Sequence, residues 1–280
     1  MVTRAAPSSL ALRYGPAALI AGATEGIGAA FARNLASQGF DLVLAARRAG
    51  PLDELAGQLR TRWGVEVRVV ACDLGEGPAA DAVGEACRGL EVGLLVYNAA
   101  ASSVGRFLET PVEAHLEAVH VNARGPVLLA HRFGGAMAQR GRGGIILMSS
   151  LTAFQGTPLV ATYGATKAFN LVLAEGLWSE LGDRGIDVLA CCAGATLTPG
   201  YERVTPRTSS RFEPRPQAPE DVVREALAGL GRRPVVVTGR ANRLVSFVMR
   251  RLMPRRFAVT TMARAMRARY ENPGAMGGRA

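Results

Sequence analysis

Lysine is almost missing from this sequence. Of 33 basic residues, 32 are arginine and only Lys167 is lysine. Arginine serves any solvated positive charge but does not give up its proton, so a lone lysine marks a position that needs an ammonium. Histidine is scarce as well, and His115, His120 and His131 show no metal-ligand arrangement, so no metal site is expected. Four cysteines, Cys72, Cys87, Cys191 and Cys192, include one adjacent pair and no metal-binding spacing, which suits reduced thiols. No window approaches 18 uncharged apolar residues, so no membrane-spanning helix is expected. Residues 1–14 carry no apolar run followed by a cleavage-like site; no secretory signal is read, and a cytoplasmic location is expected.

What is present is enough apolar material for a substantial core. The chain has 280 residues, 49% hydrophobic and 20% charged, within reach of one large α/β domain and outside the range of disorder. Its net charge of +10 is unevenly placed. Residues 201–280 hold 17 arginines against six acids, a net of +11, whereas residues 1–200 hold 16 basic against 17 acidic residues. The excess belongs to the C-terminal part, so a uniformly basic nucleic-acid binder is not indicated.

Short apolar runs at 17–22, 41–46, 65–72, 93–98, 144–149, 187–193 and 234–239 predict seven strands. Most are continuous rather than alternating, as expected for strands covered on both faces. Helical patterns lie between them, at 26–38, 51–63, 78–88, 112–139, 157–181 and 219–230. This alternation predicts a doubly wound parallel sheet with helices on both faces. The Pro-, Arg- and Ser-rich stretch 203–219 reads as a long surface loop of the kind that often forms a lid.

The first strand runs into Gly22-Ala23-Thr24-Glu25-Gly26-Ile27-Gly28 and then a helix. Glycines at this spacing permit a sharp turn and let a pyrophosphate approach the free N–H groups and positive dipole of a helix start. The second strand ends Ala46-Arg47-Arg48, with no acid to receive an adenosine ribose. Two guanidiniums there would hold a 2′-phosphate, favouring NADP(H) over NAD(H); the alternative is two solvated arginines in an arginine-rich chain. Glu25 opposes the phosphate if it lies near.

After the fifth strand come Ser149-Ser150 and then Tyr163-Gly164-Ala165-Thr166-Lys167. Tyr163 and Lys167, four apart, share one helix face. A nearby ammonium, with an oxidised nicotinamide, would favour the phenolate, and such a tyrosine can exchange a proton with an alcohol or carbonyl oxygen during hydride transfer. Ser150, at a strand end, can hold the same oxygen.

On these motifs the chain resembles the single-domain branch of the short-chain dehydrogenase/reductase family over about residues 15–240. The resemblance implies a seven-stranded Rossmann fold, and a catalytic set of Asn122, Ser150, Tyr163 and Lys167. It implies that Asn122 helps hold a water in a proton relay to Lys167, and that Lys167 also binds the nicotinamide ribose. Asp73, with Leu74, matches the adenine contact. Asn98, with Ala99, matches the motif beside the cofactor, and Thr198, after Gly194 and Thr196, matches the threonine near the nicotinamide amide. With the glycine-turn residues Gly22, Thr24, Gly26, Ile27 and Gly28 and with Arg47 and Arg48, these complete the candidate cofactor contacts. Asp73 as a helix cap and Asn98 as a turn residue are the plainer readings. The sequence departs from the family at Ala21-Gly22, Tyr97-Asn98-Ala99-Ala100 and Ala193-Gly194, where second-layer or backbone features change; its turn and second strand end look most like ketoacyl reductases and hydroxysteroid dehydrogenases.

The expectation is an NADP(H)-dependent oxidoreductase interconverting a carbonyl and a secondary alcohol on a bulky apolar substrate. Reduction of an imine or activated C=C bond is the same-fold alternative, and a non-catalytic NADP(H) sensor or membrane-associated scaffold the alternative from another class. A substrate segment is read at 199–219, with Tyr201, Phe212, Arg203, Arg207, Arg211 and Arg215. Residues 1–240 form the Rossmann domain and 241–280 a basic amphipathic helical tail, divided or kinked at Pro254, that either meets an anionic membrane through 241–270 or packs on protein. The last residues, 275–280, are expected to fray. The resemblance implies a homodimer or homotetramer.

Overall fold

The computed structural model describes residues 4–204 and 215–270. Seven strands, β1 (Ala17–Ala21), β2 (Asp41–Ala46), β3 (Val67–Ala71), β4 (Val92–Tyr97), β5 (Gly143–Ser150), β6 (Ile186–Ala193) and β7 (Val235–Val237), form one sheet. Its order is β3-β2-β1-β4-β5-β6-β7, and every neighbouring pair is parallel. The seven predicted strands and their doubly wound arrangement are therefore the observed ones.

Continuous apolar strands make sense because both faces are covered. In β1, Ala18 and Ile20 join one core, while Leu19 and Ala21 join the other. The first core is closed by α1 (Ser9–Tyr14), α2 (Gly26–Ser37), α3 (Ala49–Trp63) and α9 (Pro219–Gly229). The second is closed by α4 (Ala79–Ala86), α6 (Gly125–Arg140) and α7 (Ala161–Gly182). The same alternation sends Cys191 and Cys192 to opposite faces of β6.

Local structure corrects several sequence boundaries. The helix read at 112–139 is three pieces: α5 (Val112–Val119), a π turn (His120–Arg124) and α6. The helix read from 157 begins at Ala161, because residues 155–160 form an irregular approach in which Leu159 takes φ +65°. The segment read as a loop from 203 overlaps a short helix, α8 (Pro199–Val204), capped by Thr198, whose Oγ1 accepts the Tyr201 N–H at 3.1 Å. Arg207, Arg211 and Phe212 lie outside the described residues, as do 275–280. Helix α1 was not foreseen, since six residues are too few to show a period. After β7 the chain continues as α10 (Arg240–Phe247), a π turn (Val248–Leu252) and α11 (Arg255–Tyr270). The break falls at Pro254, as its fixed φ and missing N–H require.

Strand β1 is flanked by β2 on one side and β4 on the other, so the chain winds away from it in both directions. The crevice beyond the carboxyl ends of β1 and β4 is where such a sheet opens to a ligand.

Candidate active site

The crevice is shaped first by backbone. Gly22 leaves β1 with φ +83°, and a β-carbon there would lie 2.5 Å from the Ala99 nitrogen. A β-carbon on Gly28 would run into the Gly22 carbonyl oxygen. Asn98, at the end of β4, donates from Nδ2 to that same carbonyl at 2.8 Å, tying the two strand ends together. The result is a groove of about 530 Å³ at the open start of α2, where Glu25 makes no side-chain cap. Gly22, Thr24, Gly26, Ile27, Arg47, Arg48, Asp73, Leu74, Asn98, Ala99 and Thr198 all line it. Gly28 backs the groove without lining it. Asp73 also accepts the Gly75 N–H at 2.9 Å, so its turn-capping and its groove positions coexist.

A second cavity of about 810 Å³ adjoins the first, sharing Ile27, Arg47, Asn98 and Thr198. Ser150, Tyr163, Lys167, Gly194 and Thr196 line it. Ser150 is the last residue of β5, and its Oγ accepts the Thr152 N–H at 3.2 Å. Tyr163 lies in the first turn of α7, with Lys167 one turn on. Burial pushes the Tyr163 phenol above its ordinary pKa, and a hydrogen bond with Ser150 works in the other direction. Burial pushes the Lys167 ammonium down to about 8. Its Nζ donates to the Met148 carbonyl at 3.0 Å and stands 5.6 Å from the centre of the Tyr163 ring. In the protein alone desolvation is the larger influence on Tyr163; the expected phenolate calls in addition on the oxidised nicotinamide.

Asn122 is fully buried in the π turn. Its Oδ1 accepts the Ala101 N–H at 2.7 Å, and its Nδ2 donates to the Ala101 carbonyl at 2.8 Å and to Thr166 Oγ1 at 3.0 Å. Both amide protons are thus committed, and the side chain fastens the loop after β4 to α7. Tyr97, where the family usually has asparagine, donates to the Val121 carbonyl of the same π turn at 2.6 Å.

Other functional contacts had only a faint sequence signal. Glu25 pairs with Arg48 at 2.7 Å and with Arg203 of α8, so it bridges the glycine turn, the end of β2 and α8. Burial would raise its carboxyl pKa, yet the guanidiniums of Arg203 and Arg48 hold it below the usual range. Arg47 pairs with Glu117 of α5 at 2.8 Å. Met266 and Tyr270 of α11 complete the wall of the larger cavity. Residues more than 70 positions beyond β6 cannot be assigned to a site by spacing.

Glycine cradle, open helix start and basic strand end fit a nicotinamide dinucleotide, and the Ser–Tyr–Lys group at the far end fits proton exchange beside it. That combination defines a dinucleotide-dependent oxidoreductase. The short chain dehydrogenase family model matches residues 16–208, and the chain belongs to that family. It is 36% identical to a 7β-hydroxysteroid dehydrogenase of Collinsella aerofaciens over 233 residues, 82% of this chain and 89% of that one. A solved 7β-hydroxysteroid dehydrogenase structure superimposes with a TM-score of 0.84 at 32% identity, covering 90% of this chain and 98% of the other. A short-chain dehydrogenase from Sphingobium yanoikuyae, solved with NADPH, gives 0.71 at 34% identity, covering 80% and 87%.

Proposed function

We propose that the protein is an NADP(H)-dependent oxidoreductase that interconverts a ketone and a secondary alcohol on a bulky apolar molecule. The observation that carries this reading is the convergence of Ser150, Tyr163 and Lys167 in one cavity of about 810 Å³ that opens into the glycine groove. When bound, the nicotinamide dinucleotide supplies or accepts the hydride. Ser150 Oγ holds the substrate oxygen. Tyr163, kept protonated by burial, gives its proton to that oxygen in reduction and takes one back in oxidation. Lys167 sits close enough to stabilise the phenolate left behind, and Asn122 holds the loop that faces it.

Arg47 and Arg48, with no acid at the end of β2, support preference for the 2′-phosphate, as does the NADPH-bound relative. The 7β-hydroxysteroid relatives support a large, rigid, apolar ketone, and the apolar side chains Val160 and Met266 are suitable walls for one. A neighbouring hollow of about 490 Å³, lined by Phe107, Leu159 and Tyr163, extends the space on the other side of the tyrosine. Exposed Leu116 of α5 and Val172 of α7, on two helices that pack together, support association of copies through that face.

The test is to mix protein with NADPH or NADH and a panel of ketones including steroid ketones, and to follow loss of the reduced-nicotinamide absorbance. Turnover with NADPH on the bulky members is expected. Tight NADPH binding with no turnover on any carbonyl would replace the enzyme reading with that of a sensor, and turnover confined to imines or activated alkenes would change the reaction class.

A further inference from the structure

The tail after β7 is built inside out for a helix facing water. In α10 the two buried residues are polar, Asn242 and Ser246. Asn242 Nδ2 donates to the Thr238 carbonyl at 2.9 Å, and Ser246 Oγ to the Arg243 carbonyl of its own helix at 3.0 Å, so both polar groups are satisfied locally. The apolar residues face the other way. Leu244 is 66% exposed, Phe247 57%, Leu252 67% and Phe257, in the first turn of α11, 63%. A lone exposed leucine needs no explanation, but a run of large apolar side chains on one short stretch marks a contact surface.

The charge around this patch is one-sided. From residue 226 to residue 270 there are eleven arginines and no aspartate or glutamate. Arg240, Arg251, Arg256 and Arg264 are exposed, and no ion pair involves them among the described residues. The opposite flank of the tail is anchored. Ala258 is buried, Arg255 Nη1 donates to the Phe154 carbonyl at 3.1 Å, and the Arg250 guanidinium lies 4.2 Å from the centre of the Phe154 ring. The tail is therefore held on its own domain with an apolar, basic side turned outward.

Three partners present themselves. A second copy would set the same acid-free stretch against itself, and like charges repel. A nucleic acid would engage the arginines but give the exposed leucines and phenylalanines nothing apolar to enter. An anionic bilayer receives both, with apolar side chains entering the acyl boundary and guanidiniums at headgroup phosphates. We propose that residues 240–264 dock the protein on an anionic lipid surface, with Leu244, Phe247, Leu252 and Phe257 inserted and Arg240, Arg251, Arg256 and Arg264 among the headgroups. Because Met266 and Tyr270 of the same tail wall the larger cavity, docking would bring its rim to the lipid, where an apolar ketone partitions. That last step rests on the proposed reaction; the docking does not.

The experiment is flotation of the full chain with vesicles of phosphatidylcholine, with and without phosphatidylglycerol. Wild-type protein should float with the anionic vesicles, remain behind with phosphatidylcholine alone, and be released by high salt. Phe247→Ser with Leu252→Ser, and separately Arg251→Glu with Arg256→Glu, should each reduce vesicle partition by about tenfold or more. Melting temperature and NADPH fluorescence, unchanged in both variants, would show that the fold and cofactor groove are intact. Wild-type protein that ignores anionic vesicles overturns the proposal, as does undiminished flotation of both variants. A Phe247→Ser, Leu252→Ser protein that changes from dimer to monomer without loss of flotation would assign the patch to a second copy. Retention of duplex DNA without vesicle binding would assign it to nucleic acid. Flotation needs no turnover, so a failed ketone assay leaves this result standing, and the reverse holds.

Discussion

Helices α2 and α10 each start just beyond a strand of the same sheet, yet they are opposite in construction. Helix α2 buries Ala29, Ala30, Phe31 and Ala32 against the sheet and leaves the uncapped backbone of its first turn open to the groove. Helix α10 buries Asn242 and Ser246 and turns Leu244 and Phe247 outward. Small alanines let α2 come close to the strands, which the tight glycine turn requires. Helix α10 follows the short strand β7; inward Asn242 is satisfied by the turn that introduces the helix, through Thr238, and Ser246 by the Arg243 carbonyl. The same topological step can therefore build a ligand groove beside the inner strand β1 and an outward apolar surface beside the edge strand β7.

Substitutions can break or sharpen this contrast, beginning with the largest effect. Tyr163→Phe removes the proton that ketone reduction needs, and kcat is expected to fall by about 10³-fold while vesicle binding by the tail is untouched. Turnover at the wild-type rate would remove Tyr163 from the chemistry. At the turn itself, Gly28→Ala places a methyl against the Gly22 carbonyl and should destabilise the fold by about 3 kcal/mol, seen as a lower melting temperature and lost NADPH binding. In contrast, Leu244→Ala on α10 should change stability by no more than about 0.5 kcal/mol, since that side chain is already in solvent. Equal losses at the two positions would erase the distinction between the helices.

A pH titration probes the buried lysine. Above about 8 the Lys167 ammonium loses its proton, and with it the stabilisation of the Tyr163 phenolate, so kcat/KM for ketone reduction should fall as pH rises through about 8. Lys167→Arg, charged at every accessible pH, should lower the rate but flatten that limb. A limb unmoved by the substitution would belong to another group. The smallest effect is expected at Glu25. Glu25→Gln releases Arg48 and Arg203, and KM for NADPH should drop by about threefold with KM for NADH unchanged, since only the former carries a phosphate for Arg48 to meet. A parallel change in both would place the 2′-phosphate elsewhere.

Much of the site was legible because its signals are local. Gly22, Gly26 and Gly28 lie within seven residues, and Tyr163 and Lys167 within one helical turn, so a strand–turn–helix reading brings each group together without tertiary information. The strand count was legible for the same reason: a strand covered on both faces is a continuous apolar run. Other features had no such signal. The π turn at Asn122 looks like ordinary helix in sequence, because it arises from ties to Ala101, Thr166 and Tyr97. The Arg48–Glu25–Arg203 bridge joins residues up to 178 positions apart.

The amino-acid order by itself determined the seven strands and the main helices between them, the glycine turn, the tyrosine–lysine face and the concentration of arginine after residue 200, because periodicity, spacing and composition are properties of neighbours along the chain. Only the tertiary structure decided which charges meet, that burial raises the Tyr163 phenol, that α11 walls the cavity, and that α10 turns its apolar side outward. Desolvation and long-range contact set those outcomes, and both exist only once distant segments have packed together.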